Sequence, residues 1–541
     1  MILKQLLLGF SVVCTLTAAG RAQQPAAAKP AFVIADVHDS PHRSFPFSNG
    51  GDLRGDRYTL RQSTMIDLVA RAYTIDPEMV QGGPAWLEMK RFDIMAKADP
   101  KATPADLKLM LQSLLADRFK LTLHKGDVAM PAFILTAPDG KSKMKPAEES
   151  EDHQDCKPPR TPETAGGVPL IVLSCTGMTT DEIASLLHGA ASSYLTKPVV
   201  NQTGLEGRWN FTIKWTGLGN RTKAGADAIT IFDAVEKQLG LKFDLKTAPR
   251  PVWIVDSVNE KPTPNVPNVA KELPELPPAQ FEVATIKPSK SDEQAMARFT
   301  NGQMTVHAMP LRFLLTFAWD LNPNNKDMVV NAPSWLDEDK FDMVAKQPTP
   351  EPVAGKKTQV PFDEEEFRHM LRALIIERFK MQVHMEDRPL DAYSMVADHP
   401  RLKLADPKSR THCKEGPGPD GKDPRLANPV LNMLMTCQNM TPKQMGEQFT
   451  QFAAGYVYSP VLDKTDLKGS YDFTLSWSSA NQTILKPPPP PSANHQEASE
   501  PDMALTFYDA VNHQLGLKLV KEKRPVPVLV IDHIDETPTE N

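Results

Sequence analysis

The apolar positions of the chain switch between a two-residue period and a 3.6-residue period, and the switches come in the same order twice. Residues 32–37 and 281–286 alternate as strands that open a unit, and 64–73 and 311–319 predict apolar helices. Within 106–119, Leu107, Met110, Leu111, Leu114 and Leu115 share one helical face, as do Phe367, Met370, Leu371, Leu374 and Ile375 further on. Strands are predicted at 121–124, 133–136, 209–215 and 252–256, and helices near 180–187 and at 231–239. Gly240 and Gly516 stand where a helix ends and suit a left-handed cap. The rhythm predicts an α+β fold, a layered unit of sheet and covering helices with room for two small subdomains per copy.

The repetition extends to the residues themselves. FDAVEKQLGLK (232–242) returns as YDAVNHQLGLK (508–518), and PVVNQTGLEGRWNFTIKW (198–215) as PVLDKTDLKGSYDFTLSW (460–477). LLADRFKLTLH (114–124) answers LIIERFKMQVH (374–384), and PAWLEMKRFDIMAK (84–97) answers PSWLDEDKFDMVAK (333–346). Collinear blocks of this length mean a tandem duplication, with a first copy expected at 30–257 and a second at 280–535. The 50 prolines are about twice the usual share of roughly 5%. Many fall between the copies, at 258–279, where they predict a stiff extended linker, and in a run within 486–501 that predicts a loop.

Composition then narrows the class. A chain of 541 residues exceeds what one core fills, so at least two domains are expected. A net charge of −6 over that length gives no field that would draw nucleic acid or an anionic membrane. The opening residues, MILKQLLLGFSVVCTLTAAGRAQQ, carry one lysine, an apolar run and then small residues, which predicts a signal peptide at 1–22. That run is short for a membrane span and no later one approaches it, so no transmembrane segment is expected in a mature chain, which is read as periplasmic or secreted. Cys14 lacks the small residue that a lipoprotein signal places directly before its cysteine, so no lipid anchor is expected.

Export changes the reading of the cysteines. Cys156 and Cys175 in the first copy correspond to Cys413 and Cys437 in the second, which favours one disulfide within each copy. Loops of about 20 and 25 residues would each gain roughly 3 kcal/mol by closure. Neither pair has the close ligand spacing of a zinc site, although His153 lies near Cys156 and His412 beside Cys413. No metal site and no cofactor is expected.

A site used by both copies should appear twice, and this filter leaves few candidates. His124 and His384 fall on the polar face of a predicted strand, where solvated surface positions compete with general acid–base work. Arg118 and Arg378 sit at the edge of a helix's apolar face, placed to pack their stems or to pair with Asp93 and Asp342. Trp86 with Trp335, and Trp215 with Trp477, are core anchors or, for the first pair, stacking platforms for a ligand. Asp233 and Asp509 open a helix and offset its dipole. His38 and His42 have metal-like spacing but no counterpart, and are read as part of a solvated loop. Gly217 to Asn220 lack the context of a dinucleotide loop, and no HExxH, GxSxG or Walker motif occurs.

FEVATIKPS (281–289), PSWL (333–336), LIIERFKMQVH and YDAVNHQLGLK resemble a family of uncharacterised secreted acidobacterial proteins, a domain of unknown function. Both copies fit it, the first with FVIADVHDS (32–40) in place of FEVATIKPS, so the resemblance covers nearly all of the mature chain. The family occurs appended to membrane metallopeptidases similar to antibiotic-sensing receptors, which implies a sensory or binding role at the envelope and supplies no active site to carry over. The strand-helix-strand segments also resemble the small N-terminal signalling domains of TonB receptors and secretins. The expectation is therefore a non-enzymatic binding or interaction module of unknown ligand, with envelope proteins, peptides or glycans as partners. The alternatives are a hydrolase of unrecognised type using His124 and His384 with nearby carboxylates, and a structural protein assembling through sheet edges.

Overall fold

The structure, a computed structural model, describes residues 29–43, 46–148, 155–157, 163–274, 280–290, 295–300, 302–348, 363–418, 420–428, 430–480 and 504–539. The expected leader at 1–22 with Cys14, as well as His153 and the proline run within 486–501, lie outside them. The fold is α+β, and it is a tandem duplication.

The structure shows a second level of duplication beneath the sequence blocks. Each copy holds two units, and all four units follow one plan: two strands, a bulged strand, a helix, a short strand, a fourth sheet strand, a second helix and a long strand. The four sheets share the order first, fourth, third, second, as in Ile34–Asp39, Arg91–Lys97, Arg57–Thr64, Asn49–Arg54. Each unit has its own core, such as the one around Leu60, Leu68, Phe92, Leu111 and Phe119 in the first unit. Trp215 and Trp477 are fully buried in the cores of the second and fourth units.

The long strands join units into copies. Thr122–Thr136 runs antiparallel to Lys242–Ser257, and Gln382–Ala397 to Leu517–His533. The short strand of each unit pairs in parallel with the other unit's long strand: Val80–Gly82 with Lys242–Ser257, and Val199–Asn201 with Thr122–Thr136. The second copy repeats this exchange with Val329–Val330 and Val461–Asp463. The two strands expected at 121–124 and 133–136 are thus one strand. Its middle, with Gly126 and Pro131, reads as a break in sequence. There the ribbon is two strands wide, so each strand has a free edge that tolerates proline.

One local device recurs in every unit and sets the direction of the first helix. Gln62, Gly177, Ala308 and Asn439 have φ of 52°, 64°, 49° and 52°, each at a register slip two residues before the helix cap. A left-handed residue other than glycine costs of order 1–3 kcal/mol, and an acceptor on the adjacent strand compensates. The backbone N–H groups of these residues donate to Asp93 Oδ1 at 2.8 Å, Asn210 Oδ1 at 2.8 Å, Asp342 Oδ1 at 3.0 Å and Asp472 Oδ1 at 2.9 Å. Thr64, Thr179 and Thr441 then cap their helices with Asp67, Glu182 and Gln444 returning the bond.

The second helices end on left-handed residues too, Lys120, Gly240, Lys380 and Gly516, so both glycines take the cap expected of them. The helix expected at 231–239 is α over Ile231–Ala234 and π over Val235–Leu239, and the fourth unit repeats the change at Val511–Leu515. Cys156 with Cys175, and Cys413 with Cys437, face each other across adjacent strands with S–S separations of 2.11 and 1.95 Å. The segment read as a linker after 258 is docked over its first part: Asn259 and Thr263 donate to the carbonyls of Phe119 and Arg118, and Val269–Glu272 is a short helix. Asp535 and Thr539 repeat those two bonds on Phe379 and Arg378, which marks the segment as the tail of the unit.

Candidate functional site

The two copies meet through unlike surfaces. In the first copy, Arg54 and Arg61 lie on the second and third strands of the first unit and reach the start of the helix Glu364–Arg378 in the second copy. Arg61 Nε approaches Asp363 at 3.3 Å, Arg54 pairs with Glu366, and Arg43 pairs with Glu365. A second contact runs the other way. Arg410 donates to the carbonyls of Val80 and Gly82 at 2.6 and 2.7 Å, and the Thr411 N–H donates to Ala85 O at 3.0 Å. Glu88 receives Arg410 at 3.3 Å and Lys414 at 3.4 Å, with His412 Nδ1 at 4.0 Å. Met89 packs on the core of the fourth unit.

Between these contacts lies a cleft of about 1010 Å³. Its floor is one face of the second ribbon, with Met385, Val526 and Pro527. Trp319 and Met328 of the third unit form one wall, and the helix Pro442–Phe452 with Tyr458 of the fourth unit forms another. The first copy supplies the roof from His42, Arg43, Glu88 and Arg91. The cleft is thus a groove between the halves of the second copy, closed by the first copy.

Its ionic side chains are largely balanced inside the protein. Asp320 accepts Arg368 at 3.0 Å and Arg43 at 3.5 Å, and Glu364 holds Arg368 from the other side at 2.7 Å. Arg372 donates to Ala318 O at 2.5 Å and lies 5.7 Å from the Trp319 ring centre. Burial, and then the neighbouring Arg368 and Arg43, pull the Arg372 guanidinium below the usual arginine range. Arg91 donates to Gln62 O at 2.5 Å and is lowered chiefly by burial. Burial also holds His412 below the usual histidine range, which outweighs the opposing charge of Glu88 and keeps the imidazole neutral at neutral pH.

Of the residues named from the sequence, His42 and His412 line the cleft, whereas the duplicated histidines, arginines, tryptophans and aspartates lie elsewhere. His124 Nδ1 sits 2.7 Å from Asp256 Oδ1, and His384 Nδ1 sits 2.8 Å from Asp532 Oδ2 with Nε2 3.4 Å from Glu386. Both pairs are half exposed on the ribbons, and among the described residues neither imidazole hydrogen-bonds a serine, threonine or cysteine. Arg118 does not pair with Asp93. It donates to Thr263 O, Ala35 O and Asn265 Oδ1, because the docked tail offers it carbonyls at the helix end, while Asp93 serves the Gln62 bulge. Arg378 reaches Ala284 O at 3.5 Å, and Asp342 takes His307 at 2.9 Å and the Ala308 N–H. Trp86 packs on Phe92, and Trp335 on Phe341 and Phe379, inside their units. Asp233 and Asp509 stand in the first turns of their helices, held by Thr230 and Thr506.

What the sequence reading missed, it missed through its own filter. Trp319 occupies the helix-end position that Tyr73 fills in the first copy, so a rule requiring duplicates passes over it, and the same rule set His42 aside as part of a solvated loop. Only the folded chain brings Trp319 beside Arg372, which is far from it in sequence, so no local sequence signal marked it.

Two stretches, 66–258 and 312–534, match the family model described as a protein of unknown function, DUF3738. The chain belongs to the DUF3738 family. The two matched stretches cover most of the described residues, one in each copy, and each DUF3738 stretch contains both halves of a ribbon. No curated protein and no solved structure matches the chain. Among the described residues no helix is long and apolar enough to cross a membrane, and no group of three or more His, Cys, Asp or Glu is arranged to hold a metal ion.

Proposed function

We propose that this protein is an exported, non-enzymatic binding module that takes its ligand into the cleft between the two DUF3738 copies. The observation that carries the reading is the cleft itself: about 1010 Å³, walled by aromatic, methionine and carboxamide side chains of the second copy and roofed by the first. Sites of this size and mixed lining hold organic ligands. Two local disulfides and the leader-like opening sequence support work outside the cytoplasm.

Equilibrium titration of the full chain with peptide and glycan panels tests the reading. Saturable binding that weakens at least about tenfold in Trp319→Ala, and is unchanged in the double variant His124→Ala with His384→Ala, is expected. Turnover of any panel member that disappears in the double histidine variant would instead establish the hydrolase alternative. The duplicated His–Asp pair is the observation that keeps that alternative in view.

A further inference from the structure

The cleft selects its ligand by what it leaves unpaired. Strongly charged ligands find little there, because Arg43, Arg91, Arg372, Asp320 and Glu88 already have partners within the protein. A ligand carrying many charges would have to break those pairs in a partly desolvated site, which costs more than it returns. The open contact surface is apolar and deformable. Met89, Met328 and Met385 line it beside Trp319, Phe452 and Tyr458, and methionine accommodates irregular apolar side chains.

Polar groups are left over, among them His412 Nδ1, which is buried without a hydrogen-bond partner among the described residues, and a carboxamide. Gln448, on the helix Pro442–Phe452, is 7% exposed, lines the cleft and makes no side-chain hydrogen bond among the described residues. Its amide atoms are not sealed in the core but open to the cleft, where a ligand can offer the carboxamide a donor and an acceptor together. An extended polypeptide does so, because the N–H and C=O of a single residue point to the same side of the strand. Directly before it on the same helix, exposed Glu447 also lines the cleft and forms no ion pair among the described residues.

Resting on the binding reading above, we propose that the ligand is an extended polypeptide segment with large apolar side chains. Its main chain pairs with Gln448, its side chains enter the methionine and aromatic walls, and a single amine, from a lysine or a chain terminus, faces Glu447. The volume lies at the top of the range of about 300–1,000 Å³ for small-molecule sites, which suits several residues better than one small molecule.

The test is fluorescence anisotropy of the full chain against labelled hexapeptides, apolar, basic–apolar and acidic, with neutral oligosaccharides alongside. Basic–apolar hexapeptides are expected to bind best. Gln448→Met, which keeps the volume and removes the hydrogen-bonding groups, is expected to weaken them at least about tenfold with an unchanged melting temperature. Glu447→Gln is expected to remove the advantage of basic over uncharged apolar peptides. Peptide affinity that survives Gln448→Met overturns the assignment. Saturable oligosaccharide binding lost in Trp319→Ala, without peptide binding, overturns the ligand class while leaving the cleft as the binding site. Binding of no panel member overturns both.

Discussion

His384 is an exposed residue that its duplication alone made legible in the sequence. Duplication singled it out, and the structure gives it Asp532 on one ring nitrogen and Glu386 on the other. Hydrogen bonds from the imidazole to Asp532 and then to Glu386 raise its pKa above the usual 6.5. A raised folded-state pKa means that the pairing stabilises fully below the unfolded value and is lost as pH rises through the folded one. Proton-detected titration of the His384 ring is therefore expected to give a midpoint above 6.5 that falls in Asp532→Asn. A midpoint indifferent to that substitution would remove the pair as the cause. The same residue scale explains why the bulges escaped notice: Gln62, Gly177, Ala308 and Asn439 share a backbone angle and an acceptor but no side-chain chemistry.

Among the elements, the amphipathic helices and the strands Ile34–Asp39, Val283–Pro288 and Trp209–Thr216 were legible, because their apolar positions face their own unit's core. The ribbons were not, because their central stretches are held by backbone ladders with little burial, and their prolines read as punctuation. The fourfold plan was hidden for a related reason: a unit is defined by strand order and bulge position, which many sequences satisfy. The cysteines form the exception, since covalent pairing fixes identity. Non-reducing peptide mapping is expected to find Cys156 joined to Cys175 and Cys413 to Cys437. Cys156→Ser with Cys175→Ser is expected to lower unfolding free energy by roughly 3 kcal/mol, read from denaturant titration. A peptide joining the two copies would contradict the unit boundaries. In the first and third units the matching strand positions are Gly50 with Leu60 and Ala297 with Val306, so those units rely on packing alone there.

At the scale of the molecule, duplication made two similar bodies and divergence of charge made them fit in one order. The acidic helix start of Asp363, Glu365 and Glu366 stands where the first copy has Thr103, Ala105 and Asp106. The arginines that meet it, Arg54 and Arg61, stand where the second copy has Thr300 and His307. Unlike surfaces that recurred on both copies would permit head-to-tail growth into filaments, and this divergence removes the second set of partners. It also builds the cleft from unlike parts: its roof belongs to the first copy and its walls to the second. Small-angle X-ray scattering of the full chain measures that docking directly. Arg54→Glu with Arg61→Glu places like charges across the contact, which costs several kcal/mol, and is expected to increase the radius of gyration while circular dichroism stays native. Adding Asp363→Arg with Glu366→Arg is expected to restore the compact value. An unchanged radius of gyration in the folded reversal variant would contradict the docking, and with it the cleft.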